Sequence, residues 1–333
     1  MMIRHKPTII DVAKRAGVST ATVSRVMNGE ALVKDETRQM VEDAIAALGY
    51  RRNYLARSLV TGKSGVVGVL IPDVTGPLYG QMARGIEDVL IPLGLHSILV
   101  SDNRDPQEEE RAIGLLLERQ IDALIIIGSY ISDASLAQLI SPDFPLLLLQ
   151  REQVSLNSPY ISLQLDNDQG VNEAMQYLYE MGHRQIAHVG GLRYDGERRK
   201  VVYEAFLRAR GLEPFTLASD GTEEGGYQAA DKLINKKPEV SAVFCINDRT
   251  ALGLYHRLQE RSVRIPEDIS VIGFDDLPFA KHLAPPLTTI QQPARLMGQR
   301  AAELVLDLQA KSEGRQFSLS PQLMKRQSVK SIG

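Results

Sequence analysis

Through most of the chain, short runs of β-branched and leucine residues alternate with stretches whose apolar positions recur at helical spacing. The runs predict strands at 66–71, 97–100, 123–127, 146–149, 161–165, 185–189, 242–246 and 270–274. Between them, 79–91, 108–119, 169–181 and 249–261 carry the helical pattern, and a last helix over 294–309 precedes a terminal strand near 323–326. Strands that alternate with helices require crossover connections, hence parallel sheets covered on both faces. The units outnumber those of one ordinary sheet. Two α/β subdomains are therefore predicted, dividing near 164–167, with the chain returning to the first after 288–292. Their limits are about 66–165 with 292–320, and about 166–291 with 321–333.

Residues 1–52 have a different period. The segment 8–28 reads TIIDVAKRAGVSTATVSRVMN, in which Ile10, Ala13 and Ala16 give a short helix an apolar face and Gly17 can take the left-handed conformation that ends it. Ser19 or Thr20 then caps a second helix. At about 100° per residue, Val23, Val26 and Met27 fall on one side, while Thr20, Ala21, Ser24, Arg25 and Asn28 share the other. A third helix over 36–48 contributes Val41, Ala44, Ile45 and Leu48 to a small core. Two short helices joined by a glycine turn, with a polar face on the second, fit a helix-turn-helix reader of the major groove. A protein-interaction module of three helices is the plainer alternative. Ala13, Gly17, Val18 and Val23 at their spacing favour the DNA reader, because helices that cross steeply need small residues at the contact. The stretch 53–65 is polar and basic and reads as a linker whose first half can form one or two helical turns.

Charge sharpens this division. The formal total is only −3, which taken alone argues against a nucleic-acid partner. Residues 1–64, however, hold eleven Lys and Arg against six Asp and Glu, a balance of +5, which leaves −8 on the rest. A basic head on an acidic body is the asymmetry of a nucleic-acid module fused to something else. The 333 residues, 44% of them apolar, suffice for two or three domains and exclude a peptide or a disulfide scaffold. A single cysteine, Cys245, fits a reducing compartment, no signal peptide precedes residue 8, and no apolar run reaches bilayer length, so a cytoplasmic protein without a membrane partner is expected.

Taken together, segment 8–28, LARSL at 55–59, GVLIPD at 68–73, VFCINDRTALG at 243–253, and ISVIGFDDLPFA followed by PPLTTIQQP within 269–293 resemble the LacI/GalR family of bacterial transcription regulators. The resemblance spans essentially the whole chain. It implies an all-α helix-turn-helix head joined to an α/β, periplasmic-binding-protein-like body of two parallel-sheet subdomains. It also implies a homodimer, with a tetramer left open, on a near-palindromic double-stranded operator, and a small effector, a sugar or sugar derivative, in the cleft between subdomains. By the same resemblance Thr20, Ala21 and Arg25 take the base-reading positions. Arginine can pair bidentately with guanine, and the methyl groups of Thr and Ala can meet thymine. Thr8, Ser19, Thr22, Ser24 and Asn28 fall to phosphates, and Arg57 and Leu59 to the minor groove, where a hinge leucine wedges between base steps.

The family's effector contacts carry over to Leu78, Tyr79, Gln150, Arg193, Arg199, Phe244, Asn247 and Asp275. Three departures bear on the effector. Gly76, Pro77, Leu78 and Tyr79 stand where many relatives have asparagine, proline and two aromatics; Gln150 replaces an aspartate; Val202 replaces a usual glycine. Ligands of open α/β sheets bind beyond the carboxyl ends of strands, which here also offer Asp73, Ser101, Asp102, Ser129, Arg151, Asp248 and Asp276. Capping the following helix is the expected role of Asp248 and Asp276.

An enzyme is disfavoured: there is no GxxxxGK[ST] loop, no HExxH and no cysteine pair, and no cofactor or metal is expected. His183 and His188 are expected to be a surface and a partly buried histidine. A nucleoside- or purine-responsive regulator stays open as an alternative, as does a cytoplasmic sugar-binding protein whose DNA head is secondary. A sugar transport protein would share the body's fold, but the missing signal peptide and the DNA head argue against it.

Overall fold

The computed structural model describes residues 7–27, 33–50, 62–151, 160–191, 194–236, 239–307 and 316–333. The chain forms two compact units, Met1–Ser64 and Gly65–Gly333.

In the first unit, α1 (Ile9–Ala16), α2 (Thr20–Met27) and α3 (Asp35–Leu48) enclose a core of Val12, Ala13, Ala16, Val23, Val26, Val41 and Ala44. Thr8 and Asp11 close a capping box on α1, and Gly17, at φ 67°, ends it. The Ser19 hydroxyl accepts the Thr22 N–H at 3.1 Å and so starts α2. One expectation is corrected here: Ile10 is 54% exposed, and Val12 is buried in its place. The inward stripe of α1 is 9, 12, 13 and 16, and residue 10 lies about 160° from residue 16's neighbour position at 12 around the axis.

The second unit contains β1 (Val66–Ile71), α4 (Pro77–Leu90), β2 (His96–Ser101), α5 (Pro106–Glu118), β3 (Ala123–Ile127), α6 (Asp133–Leu139), β4 (Leu146–Leu149), β5 (Ile161–Leu165) and α7 (Asn167–Glu180). It continues with β6 (Ile186–Gly191), α8 (Tyr194–Arg208), β7 (Phe215–Ser219), α9 (Glu223–Lys236), β8 (Ala242–Cys245), α10 (Asp248–Glu260), β9 (Ser270–Asp275), β10 (Thr288–Gln291), α11 (Ala294–Leu306), β11 (Gln316–Leu319) and β12 (Gln322–Met324). The strands form two six-stranded sheets, ordered β11-β5-β4-β3-β1-β2 and β12-β10-β9-β8-β6-β7. All pairings are parallel except β10 with β12. Central strands such as β3 (ALIII) and β4 (LLLL) are buried throughout, as sheets covered on both faces require.

Helices pack closely where glycine permits it. A Cβ on Gly298 of α11 would lie 2.0 Å from the Met82 carbonyl oxygen of α4, and one on Gly253 of α10 would lie 1.8 Å from that of Glu223 in α9. The chain crosses between the sheets after β5, after β10 and between β11 and β12, so the carboxyl ends of both sets of strands are brought to the same cleft.

Candidate functional site

The carboxyl ends of the strands line a partly open cleft. Its walls come from the ends of β4, β5, β6, β7, β8 and β9 and from the crossover residue Gln292. Of the expected effector contacts, Leu78, Tyr79, Gln150, Arg199, Asn247 and Asp275 line it.

Phe244 does not. It sits inside β8 at 0% exposure, stacked on His188 with ring centroids 5.1 Å apart, and the cleft is lined instead by Ile246, just past the carboxyl end of the strand. Arg193, like Asn28, Arg57 and Leu59 of the DNA-contact set, lies outside the described residues.

Arg199, one of the cleft's cations, is almost wholly buried. Its Nε donates to Asn167 Oδ1 at 2.9 Å and its Nη1 to the Ile246 carbonyl at 2.7 Å. The guanidinium lies 3.6 Å over the Phe274 ring and 3.9 Å from Asp275 Oδ1. Such pairing is what permits a buried charge. Asp275 ends β9 at φ 115°, and Gln150 follows β4 at φ 58°. Non-glycine residues in that region cost about 1–3 kcal/mol each and tend to be held where a site needs them. Gln292 Nε2 donates to Asp275 Oδ1 at 2.6 Å, and its Oε1 accepts from Gln150 Nε2 at 2.6 Å.

Asn247 has two tasks. Its Oδ1 caps α10 through the Thr250 N–H at 2.8 Å, and its Nδ2 donates to the Gly221 carbonyl at 3.0 Å. Asp248 and Asp276 therefore do not cap helices, contrary to expectation. Asp248, one residue later and fully buried, accepts from Leu277 N and from the Thr289 hydroxyl. Burial, then the charge of Asp275, pushes its carboxyl well above the ordinary range. Asp276 pairs with Arg326 and Gln291.

At the rim, Asp73 of the first subdomain meets Arg249 of the second at 3.5 Å. Burial raises the Asp73 pKa, but hydrogen bonds from Thr75 and the charges of Arg104 and Arg249 outweigh it and hold the carboxyl below its ordinary value. Ser129 and Arg151, which also end strands, serve a buried network inside the first subdomain: Ser129 donates to Glu109, and Arg151 to the Ile131 carbonyl.

The lining also includes Arg104, Asn167, Asp220 and Gln292, which the strand-end reading did not single out. Arg104 stands 5.7 Å over the Tyr79 ring. Asn167 and Gln292 sit where the chain passes between subdomains, a position that is itself a signal for residues at the cleft. Asp220 follows β7 (FTLAS), a strand additional to those expected from the sequence.

Both histidines are corrected. His183 and His188 are each 0% exposed. His183 bridges Ser241 and the Lys330 carbonyl, and His188 Nδ1 binds the Phe244 carbonyl at 2.9 Å. Among the described residues no group of three His, Cys, Asp or Glu side chains is placed to hold a metal ion, and no helix is long and apolar enough to cross a membrane.

In the head, Ser19, Thr20, Ala21 and Arg25 are exposed and Thr22 and Ser24 half-buried, so α2 presents a continuous polar face opposite Val23 and Val26. The family of bacterial regulatory proteins of the lacI type matches residues 8–53, and a periplasmic binding protein-like domain matches residues 175–329. Catabolite control protein A of Priestia megaterium is 34% identical over 304 residues, 90% of this chain and 91% of that protein. The chain belongs to the lacI family. Like it in fold is the Lac repressor dimer bound to operator and the anti-inducer ONPF, with a TM-score of 0.86 at 29% identity over 98% of this chain and 100% of that one. A complex of the transcriptional regulator CelR with cellobiose gives a TM-score of 0.72 at 31% identity, covering 97% and 100% of the two chains. As a lacI-family member, this protein is a DNA-binding transcriptional regulator with an effector-binding body.

Proposed function

We propose that the protein is a repressor that grips a near-palindromic operator as a homodimer, and that a neutral sugar in the cleft changes the grip. The observation that carries the sugar reading is the alternation of donors and acceptors across the cleft: Gln150, Gln292, Asp275, Arg199 and Asn167. Sugar hydroxyls both donate and accept, and a site of this kind rejects analogues that lack them. A purine needs a flat aromatic partner, whereas Tyr79 is the one aromatic residue among the described cleft residues and Arg104 stands over its ring. Cellobiose in the related CelR complex supports the same class.

In the head, Thr20, Ala21 and Arg25 read bases, and Thr8, Ser19, Thr22, Ser24 and Asn28 meet phosphates. Arg57 and Leu59 enter the minor groove from a hinge over 53–65. The subdomain limits are 66–165 with 292–320, and 166–291 with 321–333. The protein acts in the cytoplasm and performs no catalytic step. The effector favours one orientation of the subdomains, and the paired hinges transmit it to the operator.

A thermal-shift screen of neutral mono- and disaccharides against nucleosides and purine bases tests the reading. Ligand at a hundred times its Kd adds about 2.7 kcal/mol, a rise in Tm of about 5 °C for a domain of this size. Stabilisation by a sugar is the expected result. Stabilisation by nucleosides or bases alone overturns it.

A further inference from the structure

Gln292 is 4% exposed, follows β10 on the crossover between subdomains, and has both ends of its carboxamide engaged. Its neighbours fix its orientation. An ionised Asp275 carboxylate can only accept, so Gln292 turns its NH2 toward Asp275 and its carbonyl toward Gln150, which must donate. Gln150 belongs to the end of β4 in the first sheet, where its N–H donates to the Leu163 carbonyl, and Asp275 to the end of β9 in the second, where its carbonyl also accepts the Gln292 N–H. The side-chain chain Gln150–Gln292–Asp275 therefore joins the two walls through one residue that lines the cavity. An aspartate at 150, the residue that the family pattern supplies there, could not donate to the Gln292 carbonyl, so the chain depends on this sequence's glutamine.

We propose that Gln292 is a built-in surrogate for the effector and a specificity-determining residue of the cleft. Its carboxamide bridges the walls when the cleft is empty, and a vicinal pair of effector hydroxyls replaces it when the cleft is filled. The chemistry matches group for group. One hydroxyl accepts from Gln150 as the carboxamide oxygen does, and its neighbour donates to Asp275 as the amide nitrogen does. A carboxylate cannot donate to Asp275, so the anchoring end of the effector is neutral, and on the sugar reading it is a vicinal diol. This rests on the sugar reading for the identity of the displacing group, but not for the bridge itself.

Pulsed EPR distances across the cleft separate the two. Spin labels go on Val74→Cys at the first rim, 69% exposed, and on Glu223→Cys at the second, exposed at the start of α9, while the native Cys245 is fully buried. In unliganded full-length protein the labels are expected to give one narrow distance distribution. Gln292→Leu and Gln150→Leu each broaden and lengthen it, and the double variant adds nothing further. Circular dichroism confirms that each variant is folded. An unchanged distribution in a folded Gln292→Leu protein overturns the bridge. Cellobiose is then added to saturation, and it is expected to narrow the distribution in Gln292→Leu again, centred on the distance that the cellobiose-bound parent shows. Cellobiose that binds the parent protein by calorimetry yet leaves the variant broad overturns the surrogate role. A bridge that passes the first test with no neutral sugar binding the parent refutes the diol assignment and the sugar reading together, and leaves the bridge standing.

Discussion

Asp248 Oδ1 accepts the Thr289 hydroxyl at 2.6 Å, which ties the first turn of α10 to strand β10 across β9. Its Oδ2 accepts Leu277 N at 2.7 Å, so one buried side chain secures the loop that follows Asp275 and Asp276. Asp248→Ala leaves a buried backbone N–H and a buried hydroxyl unpaired and is expected to cost about 2–4 kcal/mol of stability. Asp248→Asn, which still accepts once and carries no charge, should cost less. Urea unfolding of both variants checks the order.

The site's central ion contact is Arg199 with Asp275, at 3.9 Å. Asp275→Ala removes the acceptor that the Gln292 amide and an effector hydroxyl compete for. Sugar should then no longer alter operator affinity, although the head still selects the operator. A normal sugar response removes Asp275 from the site.

Arg25 stands exposed on the polar face of α2. If it reads guanine, Arg25→Ala relaxes selectivity at one base position per half-site and costs about 1–3 kcal/mol there. Binding to a library of single-base operator variants measures this. Weakening that is uniform across the library instead makes Arg25 a phosphate contact.

His188 gives a pH signature. Burial pushes its pKa from 6.5 down to about 4, with the charges of Arg199 and Lys200 acting in the same sense. The unfolded chain therefore takes up the proton first. The stability contributed is complete above pH 6.5 and is lost as pH falls toward 4, in total about 3 kcal/mol. His188→Phe removes the titrating ring, so its stability relative to the parent should rise steadily from pH 7 to pH 4. A constant difference over that window contradicts the assignment.

Much of this architecture was legible in the sequence because hydrophobic periodicity reports burial directly. Runs such as Ala123–Ile127 and Leu146–Leu149 are apolar throughout, and only a strand covered on both faces has use for that. β7 escaped because Phe215–Ser219 is an edge strand with mixed burial, and Asp220 at its end was missed with it. Ile10 misled because it adjoins Ile9, and which of the two turns inward is set by the phase that Val12, Ala13 and Ala16 carry together. At the site, strand-end arithmetic found Gln150, Asn247 and Asp275 but could not tell which neighbour caps a helix. Asn247 took the cap and Asp248 went inward. Phe244 and Ile246 share a face and differ in depth: β8 ends at Cys245, which leaves Phe244 inside the strand and Ile246 at the cleft, and a residue pattern fixes a strand's end less sharply than that. Gln292 stood in plain view within TTIQQP, but its role follows from a contact 142 residues away that no local pattern encodes.

The most direct test of the whole account is operator affinity measured with and without sugar. The full-length protein selects its site from a randomised duplex pool, and its affinity for that site is then titrated alone and with a saturating sugar from the thermal-shift screen. The account predicts a near-palindromic site and a change in affinity of at least about fivefold on adding the sugar, the lower end of ordinary allosteric coupling. A pool that yields no preferred sequence, or a site whose affinity is the same with and without a sugar that binds, would contradict it.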